Sequence, residues 1–255
     1  MRISYLFILA LLLVVACQSE QQQQQKAIAA LESSLEQTPD AAKAEELFNL
    51  YAAYRKQYPD DAAKNAAYLQ KETAIRLRLG QAYEAGSAYL ALLEQNTDAL
   101  KDKDDALFQS ALDTLRKKVF NETTNRIDPQ AAADFIELTE GYALVRTESA
   151  LTPDLLFQGS DVAGAIRDYE KALAFLAKIN TDYPDYKRAP QALFMRAFTL
   201  DAELKRYNEA KILYQEFLKK YPNDELAESA QFSLKNLGKS EEEIVQGFIE
   251  KQNND

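Results

Sequence analysis

A short pattern of residues recurs in this chain at an interval of 38 positions, and this repeat constrains the fold more than any other feature. Each copy is a Tyr-Pro pair followed by two alanines and an aromatic residue: Tyr183-Pro184 with Ala189, Ala192 and Phe194, then Tyr221-Pro222 with Ala227, Ala230 and Phe232. A third copy begins at Tyr58-Pro59, and its two alanines and aromatic residue each follow one position sooner than in the other copies. Small residues let two helices approach closely, and the aromatic ring fills the space beside them. The repeat therefore predicts two-helix units, each burying its apolar face on its neighbours.

The residues between the copies favour helix throughout. From Lys26 onward the long segments consist mainly of Ala, Leu, Glu, Lys, Gln and Arg, which are strong helix formers. The chain has only 7 Gly and 7 Pro in 255 residues, too few for the turns of an all-β sandwich or barrel. We expect an all-α fold, with helices that include 103–125 and 161–181 and a connection at 150–160.

Several classes of chemistry are excluded by residue types that the chain lacks. It has no His and only 1 Cys, so it cannot form a Ser-His-Asp or Cys-His relay, a two-His metal site or a Cys-rich metal site. We expect no catalytic residues, no metal and no cofactor. With 30 basic against 40 acidic residues, the net charge is −10, which disfavours binding to nucleic acid.

The first residues have the features of a secretory signal. Arg2 is followed by an apolar run from Tyr5 to Ala16 that suits a signal peptide better than a bilayer-spanning helix. Its end, Val14-Val15-Ala16-Cys17, resembles the bacterial lipobox, in which the Cys is lipidated and becomes the first mature residue. The resemblance implies a signal peptide at 1–16, a lipid anchor at Cys17 and sorting to the outer membrane. We interpret 17–25, which is rich in Gln, as a flexible tether, or alternatively as an extension of the next helix.

The C-terminal part resembles a tetratricopeptide repeat, strongly over 161–238 and partially over 41–95. The residues at the positions of the repeat core are Phe194, Ala197, Phe198, Tyr207, Ala210, Tyr214, Phe217 and Pro222. The resemblance implies a right-handed solenoid of antiparallel helix pairs, with a divergent region at 26–160 and tetratricopeptide repeats at 161–251. The positions that face a bound partner in this family correspond to Ala192, Met195, Thr199, Ala202 and Glu203.

A lipobox combined with these repeats makes the chain similar to outer-membrane assembly lipoproteins of the BamD type, and its C-terminal part similar to the repeat domain of CpoB-type division proteins. These resemblances imply a non-catalytic adaptor that faces the periplasm and binds peptide or helical segments of other envelope proteins. The alternatives are a lipoprotein that binds glycan or peptidoglycan fragments through tyrosine-lined grooves, and an enzyme that uses a carboxylate pair such as Glu137 and Glu140.

The predicted connection at 150–160 carries more apolar residues than a loop usually does, and they include Leu155, Leu156 and Phe157. It either folds as a helical turn against the core or exposes an apolar patch to a partner.

Overall fold

The computed structural model describes residues 20–36, 40–95, 105–121, 126–240 and 242–246. Over these residues it is almost entirely helical. The helices are α1 (20–36), α2 (Ala41–Gln57), α3 (Ala62–Arg78), α4 (Ala82–Gln95), α5 (Asp105–Val119), α6 (Pro129–Val145), α7 (Leu151–Ala165), α8 (Tyr169–Asp182), α9 (Ala189–Phe198), α10 (Tyr207–Lys220) and α11 (Ala227–Asn236). A π-helical turn, Thr199–Glu203, extends α9, and 242–246 is again helical.

The chain divides into two compact units, Met1–Thr114 and Leu115–Asp255. Within the N-terminal unit α2 packs on α3 and α3 on α4, and within the C-terminal unit each helix from α6 to α11 packs on the next. This order of contacts between successive helices confirms the predicted all-α architecture of helix pairs. The predicted boundary at 160/161 is wrong, because it falls inside α7.

Tyrosine rings form much of the core of the N-terminal unit. Tyr51 and Tyr54 of α2 are fully buried, and Tyr68 of α3 stacks on Tyr51 with ring centroids 4.7 Å apart. The helices begin where the sequence offers a cap: the Asp40 carboxylate accepts hydrogen bonds from two backbone N–H groups of the first turn of α2, and Asp61 caps α3. Capping and aromatic packing together fix the α2–α3 pair.

The glutamine-rich segment joins this unit as part of α1. Gln21 and Gln25 both donate side-chain hydrogen bonds to the Tyr54 hydroxyl, at 2.8 and 2.7 Å. The tether interpretation is therefore wrong for residues 20–25, where the alternative of a helix extension describes the structure, because the amides find a buried acceptor. Residues 17–19 lie outside the described part of the chain.

A small antiparallel ribbon interrupts the predicted helix at 103–125. Helix α5 ends at Val119, and β1 (Phe120–Asn121) pairs with β2 (Arg126–Ile127). The Asp128 backbone N–H then donates to the Val119 carbonyl, and the Asp128 side chain caps α6 at Pro129. The ribbon thus leads directly into α6, and an Asp followed by Pro is typical of a helix start.

Candidate protein-binding surface

The candidate site is built on the helix pair α9–α10, which carries the best copy of the repeat. The Phe194 ring of α9 packs against the rings of Tyr214 and Phe217 on α10, with centroids 5.9 and 6.0 Å apart. Ala197 and Ala210 are fully buried where the two helices meet. Because neither alanine extends beyond Cβ, the backbones approach closely and the aromatic rings fill the remaining space.

Three of the predicted core positions lie at the surface instead. The side chain of Phe198 is 42% exposed and that of Tyr207 is 38% exposed, and Pro222 is exposed in the turn after α10. Phe198 is the last residue of α9 and stacks on Phe194 at 6.3 Å. Tyr207 is the first residue of α10 and lies against the backbone of Gly238, where an added Cβ would be 3.6 Å from its ring. These positions mark the ends of the helices, so the core assignment is wrong for them.

The π turn is the local feature that sequence reasoning missed. The Leu204 N–H donates to the Thr199 carbonyl at 3.1 Å, an i to i+5 bond that adds one residue to the helical turn. Within it Asp201 is half-buried, and burial raises the pKa of its carboxyl while Lys205 lowers it. Because of the extra residue, the side chains of Thr199–Glu203 are rotated about the helix axis relative to those of α9. No residue type in the segment distinguishes a π turn from ordinary helix, so the sequence carries no signal for it.

The five residues of the predicted partner face are not equally accessible. Ala192 is fully buried and Thr199 is 9% exposed, whereas Met195 and Ala202 are half-buried and Glu203 is exposed. Glu203 accepts a hydrogen bond from the Tyr169 hydroxyl at 2.7 Å. The accessible part of this face is therefore Met195, Ala202 and Glu203, which we call the α9 face.

The predicted alternative of an exposed apolar patch is wrong. Leu155, Leu156 and Phe157 are 3%, 0% and 2% exposed. They lie in α7, which begins before Pro153, and they pack into the core of the C-terminal unit. A proline in the first helical turn lacks only an N–H that would have no partner inside the helix, so Pro153 is accommodated in the first turn of α7 and does not end the helix.

A second surface, which the sequence did not indicate, joins α7 to the residues that precede α9. The Arg188 guanidinium lies over the Phe157 ring, and the Tyr186 hydroxyl donates to the Asp154 carboxylate. Burial raises the pKa of Asp161, also on α7, while the nearby positive charges of Arg188 and Arg116 lower it. Burial also raises the pKa of Tyr186, as does its bond to Asp154. These contacts tie the segment before α9 to α7.

Most of the tyrosines that a sugar could stack on are inside the protein. Tyr51, Tyr54 and Tyr214 are fully buried, and Tyr58 and Tyr221 are half-buried. Of these tyrosines and Tyr207, only Tyr207 is more than a third exposed. Their rings pack between helices, so they do not form an open stacking surface for a glycan.

The part of the chain that the structure describes shows neither a metal-binding cluster nor a membrane-spanning helix. There, no cluster of three or more acidic, Cys or His side chains has the geometry to hold a metal ion. None of the helices described is long and apolar enough to cross a bilayer. The predicted signal peptide and Cys17 lie outside the described part of the chain.

Comparison with known proteins identifies the repeat. The tetratricopeptide-repeat family model matches residues 191–224, which begin in α9 and end just after α10. No curated protein matches the chain. Together with the successive packing of helix pairs, the match confirms an all-α fold of the tetratricopeptide type, and such repeats typically bind other proteins.

Proposed function

We propose that this protein is a non-catalytic adaptor that binds a segment of another cell-envelope protein through the α9 face. The observation that carries the proposal is the match of residues 191–224 to a tetratricopeptide repeat, realised as a packed α9–α10 pair. Helix pairs of this type are rigid scaffolds, and they commonly present one helix of each pair to an extended or helical ligand.

The chemistry of the α9 face supports a polypeptide ligand. Met195 offers a flexible, polarizable thioether that adapts to varied apolar side chains. Ala202 leaves room for a backbone to approach, and the Glu203 carboxylate can accept hydrogen bonds from backbone or side-chain N–H groups. A small apolar contact bordered by a hydrogen-bonding group suits a peptide or helix segment better than a small charged metabolite.

The proposed location is the periplasmic side of the outer membrane, with the chain held by lipid on Cys17. The support is the Val14-Val15-Ala16-Cys17 sequence after an apolar run, in which the only thiol of the chain occupies the lipidation position. Several acyl chains on one residue hold a protein firmly on a membrane, whereas one chain binds marginally. The resemblance to BamD-type and CpoB-type proteins suggests a role in outer-membrane assembly or in the envelope and division machinery.

Site-specific photocrosslinking tests the binding proposal. A photoreactive phenylalanine analogue replaces Met195 in the full-length protein in its native bacterium, and a matched sample carries it at Ile212, which is 62% exposed on α10. We expect a discrete protein adduct from position 195 and none of the same mass from position 212. Adducts of identical mass from both positions, or none from position 195, would contradict the assignment of the α9 face.

Metabolic labelling tests the anchor separately. Cells fed an alkyne-bearing fatty acid should incorporate it into the full-length protein, and Cys17→Ser should abolish the label and release the protein from the membrane fraction. Label that persists in Cys17→Ser would contradict lipidation at this residue.

A further inference from the structure

The N-terminal unit contains a cavity of about 430 Å³ between α1 and α3. Gln22, Lys26 and Glu32 of α1 line one side, Lys64 and Lys71 of α3 line the other, and the edge of Tyr68 forms part of the floor. Three ammonium groups and one carboxylate therefore face one space, although the whole chain has a net charge of −10.

The single carboxylate is already engaged. Glu32 forms an ion pair with Lys71 at 2.6 Å, and its other oxygen accepts a hydrogen bond from the Tyr51 hydroxyl at 2.8 Å. Among the described residues, the ammonium groups of Lys26 and Lys64 have no acidic partner within ion-pair distance. The cavity thus keeps two ammonium groups that are not part of an ion pair among the described residues, and the exposed Gln22 amide adds a neutral donor.

These donors fit an anion with several acceptor oxygens. Lysine ammonium groups and amide N–H groups donate hydrogen bonds, and bonds in which one partner is charged are shorter and stronger than neutral ones. A phosphate group presents oxygens in several directions, so it can accept from both lysines and the amide together. A volume of about 430 Å³ holds a phosphate with the polar group attached to it.

The cavity lies at the end of the protein that the proposed anchor would hold against the membrane. Helical structure is described from residue 20, and the three residues from Cys17 to that point span at most about 10 Å even when fully extended. A helix rises about 1.5 Å per residue, so Lys26 lies only about 9 Å farther along α1. The two distances add to at most about 19 Å between Cys17 and Lys26, so Lys26 reaches the headgroup layer when α1 lies along the membrane surface.

We propose that this cavity binds the phosphate group of an anionic phospholipid in the membrane that carries the anchor, an inference that rests on the proposed lipidation of Cys17. The lipid orients α1 against the bilayer surface and limits rotation of the N-terminal unit about its anchor. Lys26 and Lys64 supply the charge, while Glu32 holds Lys71 at the wall of the cavity.

Residue-specific amine acetylation tests the proposal with the full lipidated chain. The protein is reconstituted in vesicles of phosphatidylcholine alone or of phosphatidylcholine mixed with phosphatidylglycerol, and mass spectrometry follows the acetylation rate of each lysine. We expect Lys26 and Lys64 to react several-fold more slowly in the phosphatidylglycerol vesicles, with the difference lost at high salt. The exposed Lys211 and Lys235 serve as internal references.

A matched variant and a soluble ligand distinguish the outcomes. Lys64→Gln should remove most of the protection at Lys26, whereas Lys211→Gln should leave it unchanged. Equal acetylation rates in both vesicle types would overturn the proposal, and so would equal protection by soluble glycerol phosphate in phosphatidylcholine vesicles, because the ligand would then be a free phosphate compound.

Co-sedimentation with pure phosphatidylcholine vesicles reports on the anchor alone. If the chain does not co-sediment with these vesicles but phosphatidylglycerol still protects Lys26, lipid binding by the cavity is supported and the anchor fails. If the chain co-sediments and no protection occurs, the anchor is supported and the cavity proposal fails.

Discussion

The guanidinium of Arg188 lies over the ring of Phe157, with its central carbon 3.4 Å from the ring centroid. Phe157 is only 2% exposed, so the planar guanidinium shields one face of a core residue. The Arg188 Nε–H also donates to the Gln191 side-chain oxygen at 2.9 Å. The contact links the turn before α9 to α7 and aligns two helices that belong to different pairs.

Arg188→Ala should destabilise the C-terminal unit by about 1–2 kcal/mol, because it removes a partly desolvated cation–π contact and uncovers the ring. Native-state hydrogen exchange of the α7 and α9 amides in the full-length protein measures the change. Lys187→Ala is the matched control, since Lys187 is exposed and should change stability by less than about 0.5 kcal/mol. Equal effects of the two substitutions would contradict a specific role for Arg188.

Leu156→Ala should destabilise the same unit by about 2–5 kcal/mol, because Leu156 is fully buried and its removal leaves a cavity. The identical substitution at Leu144, which is 76% exposed on α6, should cost less than about 0.5 kcal/mol. Urea unfolding followed by hydrogen exchange of α7 peptides compares them. A Leu156→Ala protein as stable as Leu144→Ala would mean that this part of α7 is not core.

Tyr54→Phe should loosen α1 without unfolding the α2–α3 pair. The Tyr54 hydroxyl donates to Asp61 at 2.6 Å and accepts from Gln21 and Gln25. Its loss removes one hydrogen bond from each of these three groups, although Gln21 and Asp61 keep a longer bond to each other at 3.3 Å, and we expect a cost of about 1–3 kcal/mol. Faster amide exchange over residues 20–36 should report it.

The control for this substitution is Tyr68→Phe in the same cluster. The Tyr68 ring stacks on Tyr51, and its hydroxyl has no hydrogen-bond partner among the described residues. Exchange over α1 should therefore remain close to that of the unmodified protein. If Tyr54→Phe and Tyr68→Phe increase amide exchange over α1 equally, the hydrogen bonds of the Tyr54 hydroxyl are not what holds α1 against α2.

Capping residues and the repeat made much of the architecture predictable from the sequence. The Asp128 carboxylate accepts hydrogen bonds from the backbone N–H groups of Gln130 and Ala131, an arrangement typical of an Asp-Pro pair at a helix start. Ser240 and Glu243 exchange the two bonds of a capping box. These signals are local, because the side chain and the backbone groups it satisfies lie within four residues of each other.

The misplaced features depend on contacts that a local pattern does not contain. A proline breaks the interior of a helix but is tolerated in its first turn. The sequence around Pro153 fits either position, and only the burial of Leu156 and its neighbours places Pro153 in the first turn of α7. Phe198 occupies a core position of the repeat, yet it ends α9 where the π turn begins. The sequence alone therefore could not show which residues of the predicted partner face are accessible.

Stability of the C-terminal unit should fall as the pH rises from about 10 to 12. Burial raises the pKa of Tyr214 to about 12 in the folded protein, and the negative charge of Asp201 raises it further. In the unfolded chain the pKa is about 10, so between these values the folded state holds the proton that the unfolded state has lost. Raising the pH therefore favours unfolding in this window.

Tyr214→Phe should flatten that pH dependence for the C-terminal unit. The urea midpoint, followed through exchange of α10 peptides from pH 9 to about 12, should decline less steeply in the variant than in the unmodified protein. Parallel declines would show that other groups cause the alkaline loss of stability.

The two glycines of α7 should respond in opposite directions to the same substitution. A Cβ added at Gly159 would lie 3.0 Å from Phe175 Cε2 and 3.1 Å from Thr139 Cγ2, whereas one added at Gly164 would meet nothing within 4 Å. Phe175 is 4% exposed and Thr139 is fully buried, so neither side chain can move into solvent. At Gly159, therefore, α7 lies close to both α6 and α8.

Gly159→Ala should consequently destabilise the C-terminal unit by about 1–3 kcal/mol through overpacking, even though alanine favours helix over glycine. Gly164→Ala causes no overpacking and gains only the helix preference of alanine. It should therefore stabilise the unit by about 0.5–1 kcal/mol, because glycine loses more backbone entropy on folding than alanine does. Thermal unfolding of the two full-length variants, with exchange of α7 peptides as the local readout, should shift the midpoint down for Gly159→Ala and up for Gly164→Ala. A rise in both midpoints would mean that α7 has room at Gly159, and the close approach to Phe175 and Thr139 would then be incorrect.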